Sequence, residues 1–212
     1  MWKTILFDLD GTLTDSGEGI MNSVTVALEY YGIPIPDRQT LRVFVGPPLH
    51  EMFVKFGVPA DKADEAVEVF RSRYNTIGKF ENIPYPGIPE MLADLREKDF
   101  RLLVATSKPE TTAIEVLEHF DLAKYFERIC GASLDRSRDT KEKVIEYLLE
   151  HYGAKGEMVM VGDTAYDVTG AAFHNIPCIG VTWGYGKVED MANAGAVRIA
   201  ETVSELQKIL MQ

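Results

Sequence analysis

The chain of 212 residues contains only two cysteines, Cys130 and Cys178. Each lies in an apolar, strand-like stretch, which favours two buried reduced thiols over a disulfide or a metal site. Basic residues are also scarce, with 22 Lys and Arg against 33 Asp and Glu, for a formal net charge of −11. This balance argues against nonspecific binding to nucleic acid or to an anionic membrane surface, because both need a basic face.

Long apolar runs are missing as well. No run approaches the roughly 18 residues that a membrane-spanning helix needs, and the N-terminus lacks the charged start and long apolar centre of a signal peptide. Apolar residues make up 46% of the chain and charged residues 26%, which are globular values. We therefore expect a cytoplasmic protein, a monomer or small homo-oligomer, whose partner is a small molecule rather than nucleic acid or a membrane.

Strand-like and helix-like segments alternate through most of the sequence. This alternation predicts an α/β fold, a doubly wound parallel sheet with helices on both faces. The predicted strands are Thr4–Asp8, Arg101–Thr106, Arg128–Gly131, Met158–Gly162 and Cys178–Thr182. The predicted helices between and after them are Pro89–Lys98, Glu110–Phe120, Lys141–Tyr152, Ala165–His174 and Val203–Met211.

One interval shows only helical periodicity. It contains the predicted helices Ile20–Tyr31, Arg38–Val45, Leu49–Phe56 and Lys62–Ile77. The turn residues Ser16-Gly17 and Pro84-Tyr85-Pro86-Gly87 border it, as expected of hinges between two compact bodies. We predict a core of residues 1–15 and 86–212 with a helical cap of residues 16–85 inserted after the first strand and placed to act as a lid.

The first predicted strand ends abruptly in two carboxylates, Asp8 and Asp10, followed by Gly11. Residues two positions apart in a strand project to the same face, so the two like charges stand side by side. Such a pair stays ionised only beside a positive group, most simply a divalent cation, and otherwise one carboxyl holds a proton. The alternative interpretation, two solvated turn residues, stays open on these residues alone.

Polar residues follow two further predicted strands, as Thr106-Ser107-Lys108 and as Asp163 with Asp167 four positions on. In an open parallel sheet the carboxyl ends of the strands meet at one edge, where ligands bind. Asp8, Asp10 and Asp163 can together supply hard oxygen ligands for one Mg²⁺ with a phosphate. A single Asp after a strand is also a common helix N-cap, so Asp163 alone does not establish a metal site.

Two further features of the sequence favour an anion at the same edge. Thr106 and Ser107 offer hydroxyl and backbone N–H donors at the start of a helix predicted to begin near Pro109. Lys141 opens another predicted helix, where a lysine is unfavourable beside the helix dipole unless an anion or carboxylate is near. The loop Trp183-Gly184-Tyr185-Gly186 follows a predicted strand and is interpreted as a tight turn with packed aromatic side chains, with a glycine-rich cradle for a ligand as the open alternative.

Taken in order, these motifs are Asp8-x-Asp10-Gly-Thr, a strand ending in Thr106, then Lys141, then Gly-Asp163-x-x-x-Asp167. The sequence thereby resembles the haloacid dehalogenase superfamily over essentially its whole length, including the helical cap. Within that superfamily it looks most like the phosphoglycolate phosphatase and bacterial 5′-nucleotidase group. The segments that carry the narrower resemblance are Phe44-Val-Gly-Pro-Pro-Leu49 and Ser137-Arg-Asp-Thr-Lys141.

The resemblance implies a role for each candidate residue. Asp8 is the expected nucleophile, which forms an aspartyl-phosphate, and Asp10 is the expected acid and base. Mg²⁺ is expected on the side chains of Asp8 and Asp163 and the main-chain carbonyl of Asp10, with Asp167 acting through a water or orienting its neighbours. The expected phosphate-binding and substrate-binding set is Asp10, Gly11, Thr106, Ser107, Lys108 and Lys141, and Thr106 and Lys141 also count as catalytic.

The implied activity is Mg²⁺-dependent hydrolysis of a phosphomonoester, a small phosphorylated metabolite such as 2-phosphoglycolate or a nucleoside 5′-monophosphate. Asp10 argues against a carbon–halogen substrate, because the dehalogenases of the superfamily need no acid at that position. A sugar-phosphate mutase shares every core motif and stays open as an alternative. A regulatory protein that binds phosphate without catalysis is a further alternative, although no expected catalytic carboxylate is missing.

Overall fold

The computed structural model describes residues 2–135, 137–153 and 156–212. Six of its strands form one sheet in the order β5-β4-β1-β6-β7-β8, and every neighbouring pair is parallel. The strands are β1 (Thr4–Phe7), β2 (Thr14–Asp15), β3 (Ile83–Pro84), β4 (Arg101–Pro109), β5 (Arg128–Ala132), β6 (Met158–Gly162), β7 (Cys178–Val181) and β8 (Arg198–Ala200). The predicted parallel α/β sheet is confirmed, and β2 and β3 form a separate two-stranded sheet.

Ten α-helices are assigned within the described residues. They are α1 (Gly17–Tyr30), α2 (Arg38–Leu41), α3 (Leu49–Lys55), α4 (Ala63–Tyr74), α5 (Ile88–Glu97), α6 (Glu110–His119), α7 (Lys141–Tyr152), α8 (Ala165–Phe173), α9 (Val188–Ala194) and α10 (Val203–Leu210). Short 3₁₀ turns occur at Arg42–Phe44, Ala60–Lys62, Gly78–Phe80 and Ala123–Tyr125. In the part of the chain that the structure describes, none of the helices has both the length and the apolar character needed to cross a membrane.

The central strand β1 is buried on both of its faces, as is typical of a parallel sheet covered by helices. On one face Ile5 and Phe7 belong to a core that includes residues of α5, α6 and α10. On the other face Leu6 belongs to a core that includes residues of α7, α8 and α9. Because successive side chains of a strand point to opposite faces, four apolar residues in a row are what a strand between two helical layers requires.

The chain divides into two compact units, residues 1–14 with 84–212 and residues 15–83. The second unit is helical, and in it α1 packs on α4. The Phe44 ring lies 5.4 Å from that of Phe53 and 4.7 Å from that of Phe56, between centroids. Arg73 donates two hydrogen bonds, of 2.7 and 2.8 Å, to the carboxylate of Glu81. The description of these units as catalytic core and cap stays a prediction.

Two features differ from the sequence-based expectation. Strand β4 continues through Lys108 to Pro109 instead of ending at Thr106, so Pro109 precedes α6 and is not part of its first turn. The reason is local, because the residue before a proline is held in extended backbone. The prediction also missed four short elements, which are β2 and β3 of two residues each, β8 of three and α9 of seven. Elements this short carry too few residues to show a periodic pattern.

We expect the substitution Leu103→Ala to lower the free energy of unfolding by about 2–5 kcal/mol, because it opens a cavity in the core beside β1. Leu103 has no exposed surface, whereas Leu134 is 67% exposed. The matched control Leu134→Ala should change the free energy of unfolding by no more than about 0.5 kcal/mol. Urea unfolding of both variants checks the prediction, and equal losses would contradict the assigned burial.

Candidate active site

The site begins where β1 leaves the sheet. The backbone N–H of Asp8 donates to the carbonyl of Val161 on β6 at 2.9 Å, so Asp8 still belongs to the strand ladder. Its side chain is largely buried, and Oδ1 accepts the backbone N–H of Leu9 at 2.7 Å. The candidate nucleophile is therefore fixed at the carboxyl edge of the sheet.

Lys141 extends from the first turn of α7 to this carboxylate. Its Nζ lies 2.9 Å from Oδ1 of Asp8 and 2.8 Å from Oδ1 of Asp167, and it donates to the carbonyl of Ala105 at 2.9 Å. The ammonium group thus has three acceptors for its three N–H groups. Burial acts to lower the pKa of Lys141, but the charges of Asp167 and Asp8 outweigh it and raise that pKa above its ordinary value. Lys141 is held charged.

Two further carboxylates follow β6, Asp163 in the connection to α8 and Asp167 in the first turn of α8. The Asp163 carboxylate is fully buried and accepts the Thr12 hydroxyl at 3.1 Å on Oδ1 and the Tyr185 backbone N–H at 2.8 Å on Oδ2. Asp167 closes a capping box at the start of α8, where its Oδ2 accepts the backbone N–H and the hydroxyl of Thr164 at 3.0 and 2.8 Å. Asp167 therefore both anchors the start of α8 and orients Lys141.

Oxygens of Asp8, Asp163 and Asp167 lie within 4.8 Å of one another, in a buried cluster that could hold a cation. The carboxylate of Asp10 is directed elsewhere, to Lys108, whose Nζ lies 3.0 Å from Oδ1 and 2.9 Å from Oδ2. The structure thus brings Asp167 into the cluster in place of the Asp10 side chain. A ligand role for the Asp10 main-chain carbonyl stays a prediction.

The charges of this region do not balance. With all four carboxyl groups ionised, as a bound cation would require, they face two lysines and leave a formal charge of −2. Burial and the neighbouring charges of Asp167 and Asp8 raise the pKa of Asp163 to about 8. Burial also raises the pKa of Asp8, against the opposing charge of Lys141. Hard oxygen donors with two surplus negative charges fit a divalent cation.

The predicted phosphate-binding residues are only partly brought together. Thr106 is buried within β4, and its hydroxyl oxygen accepts the Lys108 backbone N–H at 3.2 Å. Ser107 is half-buried in the same segment, where the pairing with β5 shifts register. The Gly11 N–H donates to the carbonyl of Thr14 at 2.8 Å, so in this conformation it is engaged within its own turn.

Sequence reasoning gave no role to three groups that hold the site. These are the Thr12 hydroxyl, the Ala105 carbonyl and the Tyr185 backbone N–H. Two of the three are main-chain groups, which no residue type reveals. The signal for Thr12 was its position directly after Gly11 in the first motif, and the signal for Tyr185 was its place between two glycines.

Comparisons with known proteins identify the family of this chain. A sequence profile of the haloacid dehalogenase-like hydrolases matches residues 5–181. The tyrosine-protein kinase PtkA of Mycobacterium tuberculosis is 43% identical over 211 residues, which cover 98% of this chain and 72% of that protein. A 5′-nucleotidase of Pseudomonas aeruginosa is 39% identical over 211 residues, which cover 99% of this chain and 96% of that protein.

The crystal structure of a predicted phosphatase from Clostridium acetobutylicum superposes with a TM-score of 0.95 at 44% identity, covering 100% of this chain and 99% of that one. The profile match covers most of the chain, and the fold is that of a solved structure at high identity. The chain belongs to the haloacid dehalogenase-like hydrolases, and it is an enzyme of the phosphatase class.

We expect cation binding to stabilise the folded chain more at pH 8 than at pH 6. In the metal-free folded state the pKa of Asp163 is raised from 3.8 to about 8. Between these two pH values the folded chain keeps a proton on Asp163 that the unfolded chain has released. Stability contributed by this group therefore falls as the pH rises from about 4 to about 8. A cation must displace that proton, so its apparent affinity drops roughly tenfold per pH unit below 8.

Thermal unfolding with and without a fixed millimolar concentration of Mg²⁺ checks this expectation, with KCl at matched ionic strength as the control. The rise in unfolding temperature caused by Mg²⁺ should be larger at pH 8. An equal or smaller rise at pH 8 would contradict the assigned proton.

Proposed function

We propose that the protein is a Mg²⁺-dependent phosphomonoesterase that acts through an aspartyl-phosphate on Asp8. The observation that supports it most is the buried charge imbalance, in which Asp8, Asp163 and Asp167 lie close together and Lys141 contacts Asp8 and Asp167. A site with this surplus of negative charge can accept a dianionic phosphate only together with a cation. The donor set consists of carboxylates, which suits Mg²⁺.

In the proposed first step, Asp8 attacks phosphorus in line with the ester oxygen. The Leu9 N–H and Lys141 both contact Oδ1, so Oδ2 is the proposed attacking atom. The Oδ2–P bond forms as the P–O ester bond breaks, and the leaving oxygen takes a proton from the carboxyl of Asp10. Asp10 must give up one of its two contacts with Lys108 to carry that proton.

In the second step, a water attacks phosphorus and transfers a proton to Asp10 as the Oδ2–P bond breaks. Inorganic phosphate leaves, Asp8 is again a carboxylate and Asp10 is again protonated. Lys141 stays charged throughout, because three acceptors surround its Nζ, and it offsets the charge of Asp8 and of the phosphoryl oxygens. Bound Mg²⁺, held by Asp8, Asp163 and the Asp10 carbonyl, would neutralise charge on the phosphoryl group. Thr106 is the proposed hydroxyl donor to a phosphoryl oxygen.

The proposed substrate is a nucleoside 5′-monophosphate or a compact phosphorylated acid such as 2-phosphoglycolate. The 39% identity to a protein named 5′-nucleotidase supports the nucleotide. We further propose that residues 15–83, a compact helical unit, form the cap that selects among these substrates. The partner is then a small phosphorylated metabolite.

A second candidate is transfer of the phosphoryl group from Asp8 to an acceptor other than water. The 43% identity to a protein named tyrosine-protein kinase favours this candidate. The sugar-phosphate mutase alternative belongs to the same class, since its acceptor is a sugar hydroxyl.

Phosphate release with Mg²⁺ separates these candidates when it is measured across 2-phosphoglycolate, nucleoside monophosphates, hexose phosphates and an aryl phosphate. Turnover of one class at kcat/KM of about 10⁴ M⁻¹s⁻¹ or more supports the phosphatase. Isomerised sugar phosphate without free phosphate supports the mutase. Label from [γ-³²P]ATP on a tyrosine-containing protein, without matching phosphate release, supports the kinase.

We expect Asp8→Asn to lower kcat by at least about a thousandfold, because removing a nucleophile leaves only binding and electrostatic effects. The unfolding temperature should not fall, since the substitution removes one of the surplus buried negative charges. Asp94→Asn, which alters an Asp that accepts a hydrogen bond from Gln207 on the surface, is the matched control and should keep normal turnover. An Asp8→Asn enzyme within tenfold of the unsubstituted rate would exclude Asp8 as the nucleophile.

A further inference from the structure

Residues 183–186 lie between β7 and α9 and are here called the 183–186 loop. The loop contacts Asp163 through its backbone, since the Tyr185 N–H donates to Oδ2 at 2.8 Å. It lies outside every motif that carries the proposed chemistry. The proposed mechanism gives it no role.

Both glycines of the loop lie where no side chain would fit. A Cβ added at Gly184 would overlap Oδ2 and Cβ of Asp163, and one added at Gly186 would overlap the main-chain oxygen of Asp163. Neither glycine is among those with positive φ, so an alanine could adopt the backbone conformation and only the close approach excludes it. The loop therefore packs directly on the carboxylate.

The loop is also tied to the turn after β1. The indole Nε1–H of Trp183 donates to the Thr12 carbonyl at 3.1 Å, and the Thr12 hydroxyl donates to Oδ1 of Asp163 at 3.1 Å. The Trp183 ring meets Tyr85 edge-on, with 6.3 Å between centroids. Three hydrogen bonds and the chain between Trp183 and Tyr185 thus form a closed ring that joins Asp163, the loop and Thr12.

These hydrogen bonds hold the Asp163 side chain in one orientation. Each carboxylate oxygen takes one fixed hydrogen bond, and each keeps acceptor capacity for a cation. Mg²⁺ requires short bonds in near-ideal octahedral geometry, whereas Ca²⁺ accepts longer bonds and variable ligand numbers. A carboxylate that cannot adjust therefore favours the smaller ion.

We propose that the 183–186 loop is a positioning element that fixes Asp163 as a cation ligand and thereby sets the preference of the site for Mg²⁺ over Ca²⁺. This inference rests on the cation site of the proposed function. It assigns to the loop no contact with substrate.

The test is calorimetric titration of the metal-free protein at pH 8 with Mg²⁺ and, separately, with Ca²⁺. We expect Gly184→Ala to weaken Mg²⁺ binding by about 10- to 100-fold, the usual effect of disturbing a partner of a metal ligand. Binding of Ca²⁺ should change several times less, because the larger ion accepts a displaced carboxylate. The ratio of the two affinities therefore falls.

Gly180→Ala is the matched control. Gly180 lies on β7, and its added Cβ would meet only apolar or sulfur atoms, Cδ1 of Ile199 at 2.7 Å and Sδ of Met191 at 2.9 Å. It should lower the unfolding temperature without changing the affinity ratio. Trp183→Phe removes the indole donor to Thr12 while keeping an aromatic ring, and it should lower the ratio in the same direction even where Gly184→Ala fails to fold.

An unchanged affinity ratio in the folded loop variants would overturn the inference while leaving the proposed phosphatase intact. The inference would also be overturned if the loop variants lost affinity for Mg²⁺ and for Ca²⁺ by the same factor. An equal fall in the Mg²⁺-to-Ca²⁺ affinity ratio for Gly180→Ala would overturn it as well. If the unsubstituted protein bound neither cation, the proposed metal dependence would fail together with the inference. The two failures are therefore distinguishable.

Discussion

The unbalanced negative charge at the carboxyl edge of the sheet is the constraint on which the rest of the site depends. Asp8, Asp163 and Asp167 are buried within 4.8 Å of one another, and Lys141 is the lysine that contacts two of them. Burying like charges this closely is costly in a folded chain. The carboxylates stay close together because surrounding helices and hydrogen bonds hold each of them in place. This arrangement prepares the site for a cation and a phosphate.

The sheet order explains how such distant residues meet. Strand β1 is central, with β4 on one side and β6 on the other, so the residues that follow Phe7, Val104 and Val161 lie side by side. Their registers align Phe7 with Val104 and with Val161. Crossover helices then add side chains from their first turns, as α7 does with Lys141. The chemistry is thus assembled from three neighbouring strand ends and the helices that follow them.

The parallel sheet, its five longest strands and the helices around it could be predicted from apolar runs and helical periodicity. The candidate site could be predicted in part, since Asp8, Asp163 and Lys141 stand at element ends where polar residues interrupt apolar patterns. The pairing of Asp10 with Lys108 could not be predicted, because it depends on β4 continuing to Pro109. Main-chain donors and acceptors also escape sequence reasoning, because every residue type carries them.

The most direct measurement is the unfolding temperature of Asp163→Asn at pH 8, with and without Mg²⁺. Thr12 can accept from the new amide nitrogen while Tyr185 donates to its oxygen, so the substitution preserves the hydrogen bonds and removes only charge. If the buried charge is held for a cation, the metal-free variant is more stable than the unsubstituted protein and no longer responds to Mg²⁺. A variant that is less stable without metal and still responds to Mg²⁺ would contradict that role.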